Sequence, residues 1–206
     1  MLDKLANKRL ARINKLCRRS GAKTYVEVSK FFIRSYADTI SKLRPDIRVL
    51  LLRRNPLENA KSFTNRNKKF ELDGLQPDFK KTCFPIDPTR LTNFQLYLWQ
   101  WVEIELRSQL LFEKIGSTPF VMSTMDLQSI NRLEALFKHF DIGIKRPIEI
   151  LPAVNTNVQR GNAKTLVKQK DIDEYMEFVD LIPTRLLDRL PSLYDYINEI
   201  NVEKIR

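Results

Sequence analysis

The alternation of apolar and polar positions changes period several times along this chain, most sharply at residues 47–66, IRVLLLRRNPLENAKSFTNR. Val49-Leu50-Leu51-Leu52 is an unbroken apolar run of strand length, the kind that suits a strand buried on both faces of a parallel sheet. It ends at Arg53-Arg54, where helix-start signals arrive together: Asn55 can cap, Pro56 fits the first helical position, and Glu58 places a carboxylate in the first turn. Two arginines therefore leave a buried strand where a helix presents its amino end, a geometry that binds anions and phosphate above all. Ser62, two turns into that helix, adds a hydroxyl. An arginine pair at a solvated strand end has the same letters, and periodicity alone leaves both readings open.

The remaining elements follow from the same patterns. Residues 2–19 repeat Leu2, Leu5, Leu10, Ile13, Leu16 and Cys17 near helical spacing, with Lys4, Lys8, Arg9, Arg12, Lys15, Arg18 and Arg19 on the other face. Gly21 supplies a stop. Residues 24–28, TYVEV, read as a short strand and 30–43 as a helix closed by Pro45, so that strand, helix and central strand make a parallel crossover. Residues 65–88 are polar and interrupted by Gly74, Pro77, Pro85 and Pro88, a long connection with the character of a substrate-facing lid. A long helix spans 91–115, its stripe of Phe94, Tyr97, Leu98, Trp101, Ile104 and Leu111 turned inward. A strand at 119–122, a helix at 130–140 and helices at 171–182 and 184–199 complete the order. Tyr175, Val179, Leu186, Leu190, Tyr194 and Ile197 are the packing residues of the last two. His139, the chain's one histidine, falls on the surface of the 130–140 helix.

Composition narrows the class. The 206 residues are 43% hydrophobic and 30% charged, enough for one well-buried core and one domain. No apolar run reaches the ~18–20 residues of a membrane span, and the amino-terminal segment lacks a secretory apolar core. Cys17 and Cys83 form no disulfide framework and no paired metal-ligand spacing, so a reducing, cytoplasmic setting and no metal are expected. A net charge of +11 points to anionic partners: a phosphorylated nucleotide with an acidic or sugar-rich acceptor, or nucleic acid. A diffuse lysine excess also serves solubility, and net charge does not choose among these.

Arg54-Asn55-Pro56 followed eight residues after the arginine by Ser62 resembles the 3′-phosphate-binding motif of sulfotransferases that use 3′-phosphoadenosine-5′-phosphosulfate (PAPS). Tyr25, Glu27, Ser29 and Phe32 match the stretch that many members carry one helix earlier. Trp101 and Glu103 match the family's aromatic helix, and Asp126-Leu127 keeps half of the Tyr-Glu-Asp-Leu stretch that follows a later strand, with Met125 in place of the glutamate. Phe140-Asp141-Ile142 is similar to the ending of the next helix. Asn155-Thr156-Asn157 with Arg160-Gly161 resembles the loop that closes over the nucleotide's 3′-phosphate. The resemblance covers about residues 22–165, with 1–21 a basic amphipathic helix and 166–206 carboxyl-terminal helices of the same single domain.

The resemblance implies an α/β, three-layer, parallel-sheet fold of P-loop-like type with a helix-rich carboxyl-terminal half. It implies transfer of a sulfuryl group from PAPS to a hydroxyl or amine, leaving 3′,5′-ADP, with no metal. Arg54 and Ser62 would hold the 3′-phosphate, Arg160 and Lys164 would close over it, and Lys61 and Arg66 would line the acceptor approach. The family's opening strand and glycine-containing loop, whose amides cradle the 5′-phosphosulfate, has no counterpart after a strand here. Arg19-Ser20-Gly21-Ala22 has similar letters but ends a helix. The fold is therefore expected to be incomplete at its amino-terminal side, with activity in doubt, with Glu27 the available substitute for the catalytic base or a structural partner of a nearby arginine, and with a sheet edge open to self-association. The alternative is a non-catalytic basic module for nucleic acid or another polyanion. A kinase-like enzyme ranks last, since the chain lacks both a phosphate loop and a metal-binding carboxylate motif.

Overall fold

A computed structural model describes residues 2–29, 32–71, 82–116, 118–150 and 166–200. The chain is helix-rich, and among the described residues its sheet has two parallel strands. Helix α1 (Leu2–Ser20) ends at Gly21, whose φ of +66° is a left-handed conformation that a side chain would resist. A π-turn at Phe32–Tyr36 runs into α2 (Ala37–Leu43). Strand β1 (Leu50–Arg53) leads to α3 (Pro56–Thr64), and α4 (Asn93–Ile115) follows. Strand β2 (Phe120–Ser123), α5 (Ile130–His139), α6 (Gln169–Asp180), α7 (Thr184–Leu187) and α8 (Asp195–Asn198) complete the order.

The segment expected as a strand at 24–28 has no strand partner among the described residues. Its residues have strand propensity, but a strand exists only beside a neighbour that takes its N–H and C=O groups. Val26 and Val28 point to solvent, Val28 at 96% exposure. The crossover expected from this segment to β1 is therefore not formed. β1 pairs with β2 instead, Leu50 opposite Phe120 through Arg53 opposite Ser123, and Thr124 N–H extends the ladder to the Arg53 carbonyl at 2.8 Å. Leu52 on β1 is exposed.

The core is organised by α4. Its start is fixed by a reciprocal cap between Thr92 and Gln95, and Gly116 closes it at φ +59°. Leu98, Trp99, Val102 and Leu106 are buried against Leu57 and Ala60 of α3 and Ile172, Tyr175, Phe178 and Val179 of α6. Trp99 is thus core, as is Trp101. Part of the polar 65–88 connection is core too: Phe84 is buried and meets Phe178 edge-on at 6.2 Å. Helix α4 grips its backbone from both sides. Trp99 Nε1 donates to the Phe84 carbonyl at 2.8 Å, and Phe84 N–H donates to Glu103 Oε1 at 2.6 Å. The helix expected over 184–199 divides into α7 and α8 on either side of Pro191, which carries no N–H to continue the ladder.

Strand β2 ends in a reciprocal turn. Ser123 N–H donates to Asp126 Oδ2 at 2.7 Å, Asp126 N–H donates to Ser123 Oγ at 3.2 Å, and Arg132 stands at 3.4 Å from Asp126 Oδ1. The Ser123 amide holds the Asp126 carboxyl below the usual carboxylate range. Its folded pKa being depressed, the stabilisation is present above the unfolded pKa and is lost as pH falls through the folded one. Asp126→Asn is expected to cost about 1 kcal/mol near neutral pH. Urea unfolding at about pH 7 and about pH 3 should show the gap between variant and parent closing in acid. A gap that stays constant would show that the Asp126 charge contributes nothing.

Candidate anion-binding site

At the end of β1, successive side chains leave on opposite faces. Arg53 turns inward: its Nε lies 3.1 and 3.0 Å from the two oxygens of Glu105, and its Nη2 lies 2.8 Å from Oε2. The Glu105 side chain is 2% exposed. Burial pushes its carboxyl up from the ordinary value, with Arg53 opposing that shift. Beside this pair stands Tyr196, whose hydroxyl is pushed up to about 12, by burial first and with Arg53 acting against it.

Arg54 turns outward. Its side chain is 41% exposed and meets Glu58 Oε2 at 3.8 Å, a separation wider than a hydrogen bond. Its carbonyl accepts Trp101 Nε1–H at 2.9 Å, so the backbone under the guanidinium is fixed to α4. Asn55 caps α3 as expected, its Oδ1 accepting Leu57 N–H at 3.1 Å, while its Nδ2 donates to the Tyr196 carbonyl at 2.7 Å and to Glu199 Oε2 at 3.3 Å. Pro56 has no N–H and that of Leu57 is engaged by the cap, which leaves Glu58 as the amide donor of the first turn. The amino end of α3 is thus a weaker anion site than the sequence suggested, and the Arg54 guanidinium is its principal positive group.

Glu58 and Ser62 stand one turn apart on the same side of α3, while Arg54 and Arg66 lie just beyond its two ends. Ser62 is buried. Arg66 Nε donates to the Ser62 carbonyl at 2.9 Å, and its guanidinium lies 4.8 Å from the centre of the Phe63 ring. Lys61 is engaged elsewhere. Its ammonium is 2.8 Å from each oxygen of Asp171, the buried carboxylate that also caps α6 by accepting Lys168 N–H. It is a tie between α3 and α6 rather than a lysine standing on an open approach.

Glu27 does not sit at the end of a strand. It forms an ion pair with Arg9 of α1 and accepts the Tyr25 hydroxyl at 3.2 Å. That is the structural role weighed for it above, and it separates Glu27 from the β1–α3 turn in bonding terms. Arg160 and Lys164 lie outside the described residues. Sequence reasoning missed Glu105 and Tyr196 as the groups behind Arg53. The available signal was a carboxylate inside the apolar register of α4, which must find a cation when buried. Among the described residues no group of three His, Cys, Asp or Glu is placed to hold a metal, and no helix is long and apolar enough to cross a membrane. No protein-family model, curated protein or solved structure matches this chain.

Proposed function

We propose that this chain is a sulfotransferase-like protein that binds the 3′-phosphate of PAPS or 3′,5′-ADP at the β1–α3 turn. The observation that carries the reading is Arg54 itself: a guanidinium on a backbone tied to Trp101, half exposed, and loosely met by Glu58 of the helix that follows. A planar guanidinium is suited to two phosphate oxygens at once. In this reading the incoming phosphate displaces the Glu58 carboxylate, and Arg160 and Lys164 supply further positive charge. The three-layer P-loop-like arrangement and sulfuryl transfer to a hydroxyl or amine belong to the same proposal. Transfer also needs donors around the 5′-phosphosulfate, because that chemistry depends on positioning and on stabilising developing charge.

Calorimetric titration with 3′,5′-ADP, against 5′-ADP as control at ~150 mM salt where surface charge is screened, tests this directly. The parent should prefer 3′,5′-ADP, and Arg54→Ala should weaken that binding at least about tenfold, a loss of about 1.4 kcal/mol. The Arg54 side chain is half exposed, so the variant keeps its fold. Equal binding of the two nucleotides, or unchanged binding by the variant, sinks the assignment. A second reading, a polyanion-binding module, is favoured by the exposed cations of α1.

A further inference from the structure

Helix α1 has two sides with different fates. Ala6, Leu10, Ile13 and Cys17, spaced by four, three and four, form the row turned to the protein; Ala6 is 1% exposed and the others are half-buried. That orientation is fixed independently. Thr39 Oγ1 donates to Asp3 Oδ1 at 3.1 Å, Arg9 pairs with Glu27, and the Arg9 guanidinium lies 5.6 Å from the Tyr36 ring centre. The apolar face expected from the sequence is therefore split. Leu5 and Leu16, eleven residues or about three turns apart, share a second line that stays in solvent at 54% and 45% exposure.

Beside that line runs an unbroken cationic row. Lys4, Lys8, Arg12, Lys15 and Arg19 step by fours and threes, all exposed, and none has an ion-pair partner among the described residues. Leu5 is three residues from Lys8, and Leu16 is four from Arg12 and three from Arg19, so leucines and cations adjoin. Val26 and Val28 flank Glu27, which is tied to α1, and they add exposed apolar surface next to the helix.

We propose that α1 docks the protein on an anionic lipid surface. The Leu5–Leu16 line would enter the headgroup–acyl boundary and the five cations would lie among the lipid phosphates. A membrane surface is the partner that satisfies both rows together: anionic headgroups take the cations, and the acyl boundary takes the leucines. Nucleic acid would neutralise the cations and leave Leu5, Leu16, Val26 and Val28 in water. Among the described residues α1 also carries no aromatic ring on which a base could stack. Packing α1 on α1 of a second copy would set two cationic rows against each other. The inference stands apart from the Arg54 assignment.

The test is co-sedimentation of the full chain with phosphatidylcholine vesicles, with and without about 30 mol% phosphatidylserine, at ~150 mM salt. The parent should partition at least about tenfold more strongly onto the anionic vesicles. Lys8→Gln/Arg12→Gln/Lys15→Gln should lose on the order of a hundredfold. Leu5→Ser/Leu16→Ser should lose severalfold on vesicles yet bind a single-stranded oligonucleotide as the parent does. All five side chains are exposed, so the thermal midpoint of both variants should match the parent's; were either to fold poorly, the parent's preference between the two vesicles alone decides. Equal partition of the parent, or leucine variants that bind vesicles like the parent, overturns the proposal. Oligonucleotide binding without vesicle binding overturns it in favour of nucleic acid.

Discussion

Replacing Glu103 with alanine is expected to destabilise the fold by about 3–5 kcal/mol, the cost of breaking a buried charged pair from one side. Its side chain is fully inaccessible and serves two donors at once, Phe84 N–H at 2.6 Å and Arg107 Nε at 2.9 Å. Alanine leaves the buried Phe84 amide and the largely covered Arg107 guanidinium without that acceptor. Domains of ordinary stability have about 5–15 kcal/mol in all, so the variant should sit near its unfolding threshold. Glu103→Gln retains an acceptor for one donor and should lose less. Urea unfolding followed by tryptophan fluorescence measures both. A loss below about 1 kcal/mol for the alanine variant would mean that the Phe84 segment is held by other contacts.

Trp99→Ala should cost a comparable amount, about 3–5 kcal/mol, through the cavity left by a fully buried indole. It also removes the donor to the Phe84 carbonyl. Trp99→Phe keeps most of the volume and forfeits chiefly that hydrogen bond, so the difference between the two variants separates packing from polarity. Because Trp99 and Glu103 hold the same peptide segment, one turn apart on α4, the double variant should lose less than the sum of the two singles. Strict additivity would show that the two grips on Phe84 are independent.

The helices were legible where local chemistry suffices. Asn55, Pro56 and Glu58 marked the start of α3, Gly21 marked the end of α1, and the apolar stripe of 91–115 predicted α4 within two residues of its start. The strands were legible only in part. Leu50–Arg53 and Phe120–Ser123 formed because each had the other, whereas TYVEV has strand propensity but no strand beside it among the described residues, and a pattern of period two says nothing about what lies alongside. Long-range partners were the least accessible. Lys61 looks like a lysine on an exposed helix until Asp171, far along the chain, arrives to neutralise it. At the candidate site the Arg54–Asn55–Pro56 turn was readable, and so was its strand–turn–helix setting. What the sequence concealed was that Arg53 would turn in to Glu105 while Arg54 stayed out, and that Asn55 would be bridged by Tyr196 and Glu199 from the other end of the chain.

The parallel pairing of β1 with β2 has a topological consequence. A hairpin joins its strands by a few residues, but here the chain must travel from Arg53 to Phe120 before the ladder can close. Four residue pairs therefore act as the clasp of a ring that contains all of α3, the Phe84 segment and all of α4. Parting the two strands opens that ring, while the β1–α3 turn stays tied to α4 through Trp101 and the Phe84 segment stays held by Trp99 and Glu103. A cut in α1, or anywhere beyond the β2 turn, leaves the ring closed. The clasp is small for what it encloses, so the tie of Arg53 to Glu105 and the reach of Arg132 to the Val121 carbonyl at 3.0 Å matter as its rivets, one on each strand.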